Sequence, residues 1–169
     1  MKWRRGNSIF GFPIQCSIQE RIFFMYEGFK SFHSSIAYLT VLLCVITMVY
    51  TLLSFFTSKI YSPLNKKFAF YTLIAVHLQI LLGLILYFIS PNGISAASSG
   101  FMKDATMRFQ IIEHPLTMII AAVLITIGYS KSKRQVNESK GLTTVLIYFG
   151  IGVLLILLRI PWNVWPALN

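Results

Sequence analysis

Three histidines are the residues of this chain that could do chemistry. Each of them, His33, His77 and His114, lies in or at the edge of a long apolar stretch. An ionisable ring is costly in such surroundings, so each one needs a partner or a function. Neutral imidazole is the commonest protein ligand for metals, and two imidazoles on facing helices can hold a haem iron from both sides. The alternatives are interhelical hydrogen bonds for His77 and His114 and an interfacial cap for His33.

The elements that carry these histidines are predicted from the distribution of charge. Only 12% of the 169 residues are charged, 56% are hydrophobic and the mean hydropathy is +0.68, whereas a soluble domain carries about a quarter charged residues. Long stretches have no charge or one charge, and each can hold roughly 20 helical residues, enough for about 30 Å of hydrocarbon. We therefore expect an all-α, integral membrane, up-down-up-down four-helix bundle. The predicted helices cover about 33–56, 69–90, 107–129 and 142–160.

The net charge of +10 does not indicate a nucleic-acid partner, because the basic residues lie at helix ends, as in "NKK" and "KSKR". The connections 57–68 and 130–141 hold seven Lys and Arg residues near the spans, against five on the other side. The positive-inside rule then places both connections in the cytoplasm and both termini outside. Residues 1–24 are predicted to be an N-terminal extension, interfacial or absent from the native protein, and 25–169 the transmembrane domain.

Helical periodicity predicts which faces turn inward. The first helix has a stripe of polar and small residues, which lipid does not favour and which should pack against other helices. In the second helix, Gln79 and Gly83 share a face and His77 lies on the opposite side. In the third helix, Gln110 and His114 share a stripe, and Pro115 predicts a kink that either serves packing or aims His114. The stripe of the first helix consists of His33, Ala37, Thr40, Cys44, Thr47 and Thr51.

Depth in the bilayer bears on which histidines could share one iron. At about 1.5 Å per residue, His77 and His114 differ in predicted depth by about 10 Å, and His33 and His114 differ by as much. We prefer His77 with His114, because both lie well inside their predicted spans. His33 is then an accessory or alternative ligand, or it meets a propionate or a quinone head at the exterior surface. Glu113 is expected to pair with Arg108.

Other chemistry has little support in the sequence. There is no Cys-x-x-Cys-His for covalent haem, no phosphate loop, no paired-cysteine zinc site and no His-Glu-x-x-His motif. Two cysteines give no disulfide framework. A channel or transporter would need to form oligomers, and no charged ring or pair of broken helices is visible.

Three strings carry a family resemblance: "AVHLQILLGLILYFISP" at 75–91, "MKDATMRFQIIEHPLTMIIAAVLITIGYSKSK" at 102–133, and "IPW" near the end. From about residue 25 to 162 the chain resembles a family of small bacterial four-helix membrane proteins labelled cytochrome b-like. It is similar, more distantly, to one half of haem A synthase, through Gln79, Leu82 and Gly83. The resemblance implies a bacterial inner-membrane protein whose candidate haem ligands are His33, His77 and His114.

Taken together, these patterns predict a membrane protein that binds a non-covalent haem b and transfers electrons rather than acting as a stand-alone enzyme. His77 and His114 would be the metal ligands, and Gln79, Gln110 and Arg108 would be supporting or propionate partners. Its partners would be the lipid bilayer and a quinone or a larger membrane complex, and self-association stays open. The alternative is a non-catalytic accessory or scaffold subunit in which the histidines are structural.

Overall fold

The computed structural model describes residues 14–98 and 100–162, and the side chains from residue 20 onward. Every regular element in that part of the chain is helical. The four main helices are α1 (Ile14–Phe56), α2 (Pro63–Ile89), α4 (His114–Ser132) and α5 (Ser139–Leu158). A short helix α3 (Ala105–Arg108) and a π-helical turn (Phe109–Glu113) lead into α4, and 3₁₀ turns at Ile94–Ala96 and Phe101–Lys103 lie in the long connection before them.

Four helical segments are long and apolar enough to cross a membrane: Glu20–Phe56, Pro63–Ala96, Ala105–Ser132 and Ser139–Leu158. Each helix packs against the next one along the chain, and α5 also packs against α1. Successive helices are antiparallel: His33 of α1 contacts Gln79 of α2, whereas the later Thr47 contacts the earlier Thr72. His114 at the start of α4 likewise contacts Arg159 after the end of α5. The predicted all-α antiparallel four-helix bundle is confirmed, and the protein is a multi-pass membrane protein.

The first helix differs most from its predicted bounds. It begins at Ile14 rather than at 33, and its 43 residues span roughly 65 Å at the helical rise, far more than the hydrocarbon of a bilayer. There is no proline in 14–56, so no proline breaks the helix ahead of the apolar span. Residues 14–24 therefore continue the first span as helix, and 1–13 lie outside the described residues.

The predicted inward stripe of α1 is confirmed. Thr40, Cys44, Thr47 and Thr51 are buried. Thr72 of α2 donates to the carbonyl of Leu43 over 3.0 Å, so Thr47 must be the donor in its 2.7 Å contact with Thr72. These bonds place the polar side of α1 against α2 and leave the leucines and valines of the opposite side to the lipid.

Glycines allow a close approach of α4 and α5. A Cβ at Gly152 would lie 2.9 Å from Cγ1 of Ile125 and 3.2 Å from the carbonyl oxygen of Ala121. Ile125 is fully buried. Gly152 therefore permits a close approach of α4 and α5. Gly150 is different, since a Cβ there would meet only the methyl of Met48 at an ordinary 3.5 Å.

The connection between α1 and α2 packs against the connection between α4 and α5 at one end of the bundle. Tyr61, fully buried, accepts a backbone hydrogen bond from Asn137 at 2.9 Å and donates one to Glu138 at 3.1 Å. Its hydroxyl lies 3.3 Å from Ser132 Oγ, and burial raises the pKa of Tyr61. Ser62 and Asn65 form a capping box at the start of α2. Tyr61 and the capping box thus hold this end of the bundle together, and the main cavity lies toward the opposite end.

The two glycines of α5 provide a matched test of helix packing. We expect Gly152→Ala to destabilise the bundle by about 1–3 kcal/mol, because the added methyl overpacks the α4–α5 contact. Gly150→Ala should be neutral or slightly stabilising, since both variants gain the same helix propensity but only one meets an obstacle. Thermal unfolding in detergent would measure the difference. Equal melting temperatures for the two variants would contradict this packing.

Candidate functional site

A large cavity, of about 620 Å³, lies among all four spans at the end where α1 carries His33. Its wall is mainly aliphatic and aromatic. Several rim residues, including Tyr38, Leu84 and Ile119, are also exposed on the outside of the bundle, so the cavity opens sideways to the lipid-facing surface. The polar side chains on its wall are Glu27, Lys30, Ser31, His33, Ser34, Ser35, Tyr38, Thr40, Gln79, Tyr87 and His114.

His114 lines this cavity, and one of its two ring nitrogens keeps a free lone pair. Its Nδ1 lies 2.7 Å from the carbonyl oxygen of Arg159. A carbonyl can only accept, so Nδ1 carries the proton and Nε2 keeps its lone pair. No described residue donates to that Nε2. A histidine that ligates a metal is usually held in this way, with its other N–H bonded to a carbonyl or carboxylate.

The local backbone explains how His114 reaches that position. Pro115 has no N–H, so the usual helical bond to Ile111 cannot form. The preceding five residues, Phe109–Glu113, take a π-helical turn, and the N–H of His114 bonds to the carbonyl of Phe109. Such turns often occur at functional sites. The rings of Phe109 and His114 lie 5.8 Å apart between centroids, which fixes the imidazole from the side. The predicted irregularity at Pro115 is thus a π-turn that positions His114.

His33 faces the cavity from α1 but is held by Gln79 of α2. Nε2 of Gln79 donates to the backbone carbonyl of His33 at 3.0 Å and to its ring Nε2 at 3.2 Å. The ring proton is then on Nδ1. Both that Nδ1 and Oε1 of Gln79 are buried without a hydrogen-bond partner among the described residues. A Cβ at Gly83 would come within 3.3 Å of Cε1 of His33, so the glycine makes room for the ring.

Three ionised side chains form a network beside the π-turn that precedes His114. Glu113 accepts from Arg108 Nε at 2.8 Å and lies 3.2 Å from Arg159 Nη1. Arg108 also donates to the carbonyl of Met102 at 2.9 Å. The predicted Glu113–Arg108 pair is confirmed. Because Arg159 also supplies the carbonyl that orients His114, the ion pairs hold the end of α5 against the π-turn.

The preferred ligand pair, His77 with His114, is not brought together. His77 is exposed on the outer side of α2, where Nδ1 donates to the carbonyl of Leu73 at 2.8 Å and Nε2 lies 3.4 Å from Thr126 Oγ1. It does not line the cavity. The histidines that share the cavity are His33 and His114.

The error came from the predicted start of the first helix. A start at 33 places His33 at the membrane edge. In the continuous helix from Ile14, His33 lies well inside the helix and level with Gln79 of α2. The opposite face predicted for His77 is confirmed.

The predicted supporting residues are divided between the cavity and the surface. Gln79 lies on the cavity wall. Gln110 is exposed and outside it, and Arg108 reaches His114 only through Glu113 and Arg159. Arg159 was not predicted as a site residue. The sequence does show that Arg159 is the charged residue directly after α5. Its contact with His114, however, is made by its backbone carbonyl, which no pattern of side chains can predict.

Comparisons with protein-family models, curated proteins and solved structures found no match to this chain. The cytochrome b-like resemblance therefore stays a prediction. No group of three or more His, Cys, Asp or Glu side chains that could hold a metal ion occurs among the described residues. The fold and site define a multi-pass helical bundle with a two-histidine cavity that opens to the membrane.

The ion pairs around Glu113 give a test of how the outer end of the bundle is held. We expect Glu113→Gln to lower the melting temperature in detergent, because it removes the carboxylate that joins two arginines on different helices. Glu27→Gln is the control, since Glu27 pairs only within α1, with Lys30, in a more exposed position, and such pairs contribute little. Equal effects of the two substitutions would show that the Glu113 network does not hold α5.

Proposed function

We propose that this protein is a membrane cytochrome that holds a b-type haem non-covalently in the His33–His114 cavity and transfers single electrons. The observation that carries the proposal is the orientation of His114, whose Nδ1 proton is bound by the Arg159 carbonyl while Nε2 is left for a ligand at the cavity wall. The lining is otherwise mainly apolar, as a buried macrocycle requires.

The two histidines fit such a group unequally. Nε2 of His114 is available, and His114 is the residue that would hold the iron. Nε2 of His33 is engaged with Gln79, and its Nδ1 is closed off. The side chains therefore fit attachment through one histidine as they stand, and attachment through two only if His33 leaves Gln79. The predicted use of His77 as a ligand is not retained, because His77 lies outside the cavity.

Basic groups at the cavity end of the bundle would serve the carboxylates of the macrocycle; Lys30 lines the cavity, and Arg108 and Arg159 lie outside its lining. Arg108, Arg159 and Lys30 supply three cations against the carboxylates of Glu27 and Glu113, which leaves one positive charge in excess. Arg108 and Arg159 are partly exposed and have donors beyond those used by Glu113. The exposed Gln110 has no such role in this proposal.

Haem iron supplies a one-electron couple whose potential depends on axial ligands, hydrogen bonds and burial. The residues of this chain would orient His114, exclude water from the apolar wall and balance charge at its outer end. The sideways opening suits an electron partner in the bilayer, either a quinone or a larger membrane complex.

For location, we propose the bacterial inner membrane. The basic connections after α1 and after α4 would face the cytoplasm. Both termini, and with them the cavity end of the bundle, would then face the periplasm.

The second candidate is a non-catalytic accessory subunit of a larger membrane complex with structural histidines. The hydrogen bonds between His33 and Gln79 and between His114 and Arg159 favour it, because each joins two helices without any ligand. The two candidates differ in whether the purified protein carries haem.

An absorption spectrum tests the proposal. The purified protein, supplied with haem during expression, should show a Soret band, and His114→Ala should lose nearly all of it because the available ring nitrogen is gone. His77→Ala, which removes an exposed histidine, is the control and should keep the full haem content. A wild-type protein without a Soret band after haem supplementation would reject the cytochrome and favour the accessory subunit. Full haem retention by His114→Ala would reject His114 as the ligand.

A further inference from the structure

The His33–Gln79 contact can be assigned atom by atom. The group of Gln79 that lies 3.0 Å from the backbone carbonyl of His33 must be its amide nitrogen, because a carbonyl cannot donate. The same nitrogen lies 3.2 Å from Nε2 of His33. That ring nitrogen therefore accepts, and its lone pair is used. Gln79 thus occupies the atom of His33 that most commonly binds metals.

This contact is incomplete. Gln79 makes two hydrogen bonds to His33, yet its own Oε1 and Nδ1 of His33 stay buried without partners in the described part of the chain. Buried polar atoms without partners are unfavourable. The two hydrogen bonds from Gln79 therefore hold His33 in place, but the two unpartnered atoms make this position less favourable than one in which the ring has a partner for each nitrogen.

The surroundings of His33 define where the ring rests and where it could go. Gly83, one turn beyond Gln79 on α2, contacts the ring edge that carries Cε1 and Nδ1, so both ring nitrogens now face α2. On its other sides His33 borders the cavity that His114 faces from α4. Since α1 and α4 are diagonal in the bundle, a ring that left Gln79 would approach that cavity from the side opposite His114.

From these contacts we propose that Gln79 is a positioning residue that holds His33 away from the metal and so decides whether one or two histidines coordinate it. This inference rests on the proposed haem function. With the Gln79 contact intact, His114 is the single protein ligand. Without it, Nε2 of His33 is released and becomes the second.

The matched variants are Gln79→Leu, which keeps the approximate shape but cannot hydrogen-bond, and the double variant Gln79→Leu with His33→Ala. The readout is the spin state of the ferric protein by absorption and electron paramagnetic resonance. Wild type should be mainly high-spin, as expected with one histidine. Gln79→Leu should become mainly low-spin, and the double variant should return to high-spin because the second imidazole is gone. His77→Ala should have the wild-type spectrum.

Two results would overturn the inference while the haem function stands. One is a Gln79→Leu protein that binds haem and stays high-spin. The other is a wild-type protein that is already low-spin and becomes high-spin on His33→Ala, which would mean that Gln79 does not restrain His33.

A haem-free measurement separates the inference from the proposed function. In protein labelled with ¹⁵N-histidine in detergent micelles, His33 should show a fixed Nδ1–H tautomer in wild type and a mixture of tautomers in Gln79→Leu. Identical His33 spectra would refute the role of Gln79. A changed spectrum, in a protein that never shows a Soret band, would reject the cytochrome and its coordination switch but confirm that Gln79 fixes His33.

Discussion

Hydrocarbon offers no hydrogen-bond partners, and the rest of this structure depends on that constraint. Inside the spans, polar side chains bond to backbone carbonyls or to each other, as Thr72 does to Leu43 and His77 to Leu73. Three described side-chain atoms are buried without a partner: His33 Nδ1, Gln79 Oε1 and Thr51 Oγ1. Two of the three belong to one contact on the cavity wall, and the third, Thr51, lies on the packed stripe of α1. The His33–Gln79 contact is therefore the place where two unpartnered atoms meet.

The backbone at Pro115 shows how a local sequence feature positions a side chain. A proline in a helix removes a donor, and here the chain compensates over the five residues before His114 rather than at the proline itself. The wider turn shifts the register of the residues before His114 relative to α4, which begins at His114.

Much of the architecture could be predicted from sequence, because the physics that determines it is local and periodic. Charge-free stretches indicate spans, and small polar residues at helical spacing indicate the inward side of α1. The site was harder. The partnership of His33 with His114 depends on where α1 begins, and charge and hydropathy place that boundary poorly when an amphipathic helix continues an apolar one. The contact of His114 with Arg159 involves a main-chain carbonyl, which every residue possesses and no pattern reveals.

The first helix has a mechanical consequence. Its outer turns expose a run of large apolar side chains, Ile22 to Met25, and continue without a break into the turns that carry Glu27, Lys30 and His33. An unbroken helix transmits tilt along its whole length. A change in the tilt of this segment would therefore also displace the wall of the cavity that α1 forms.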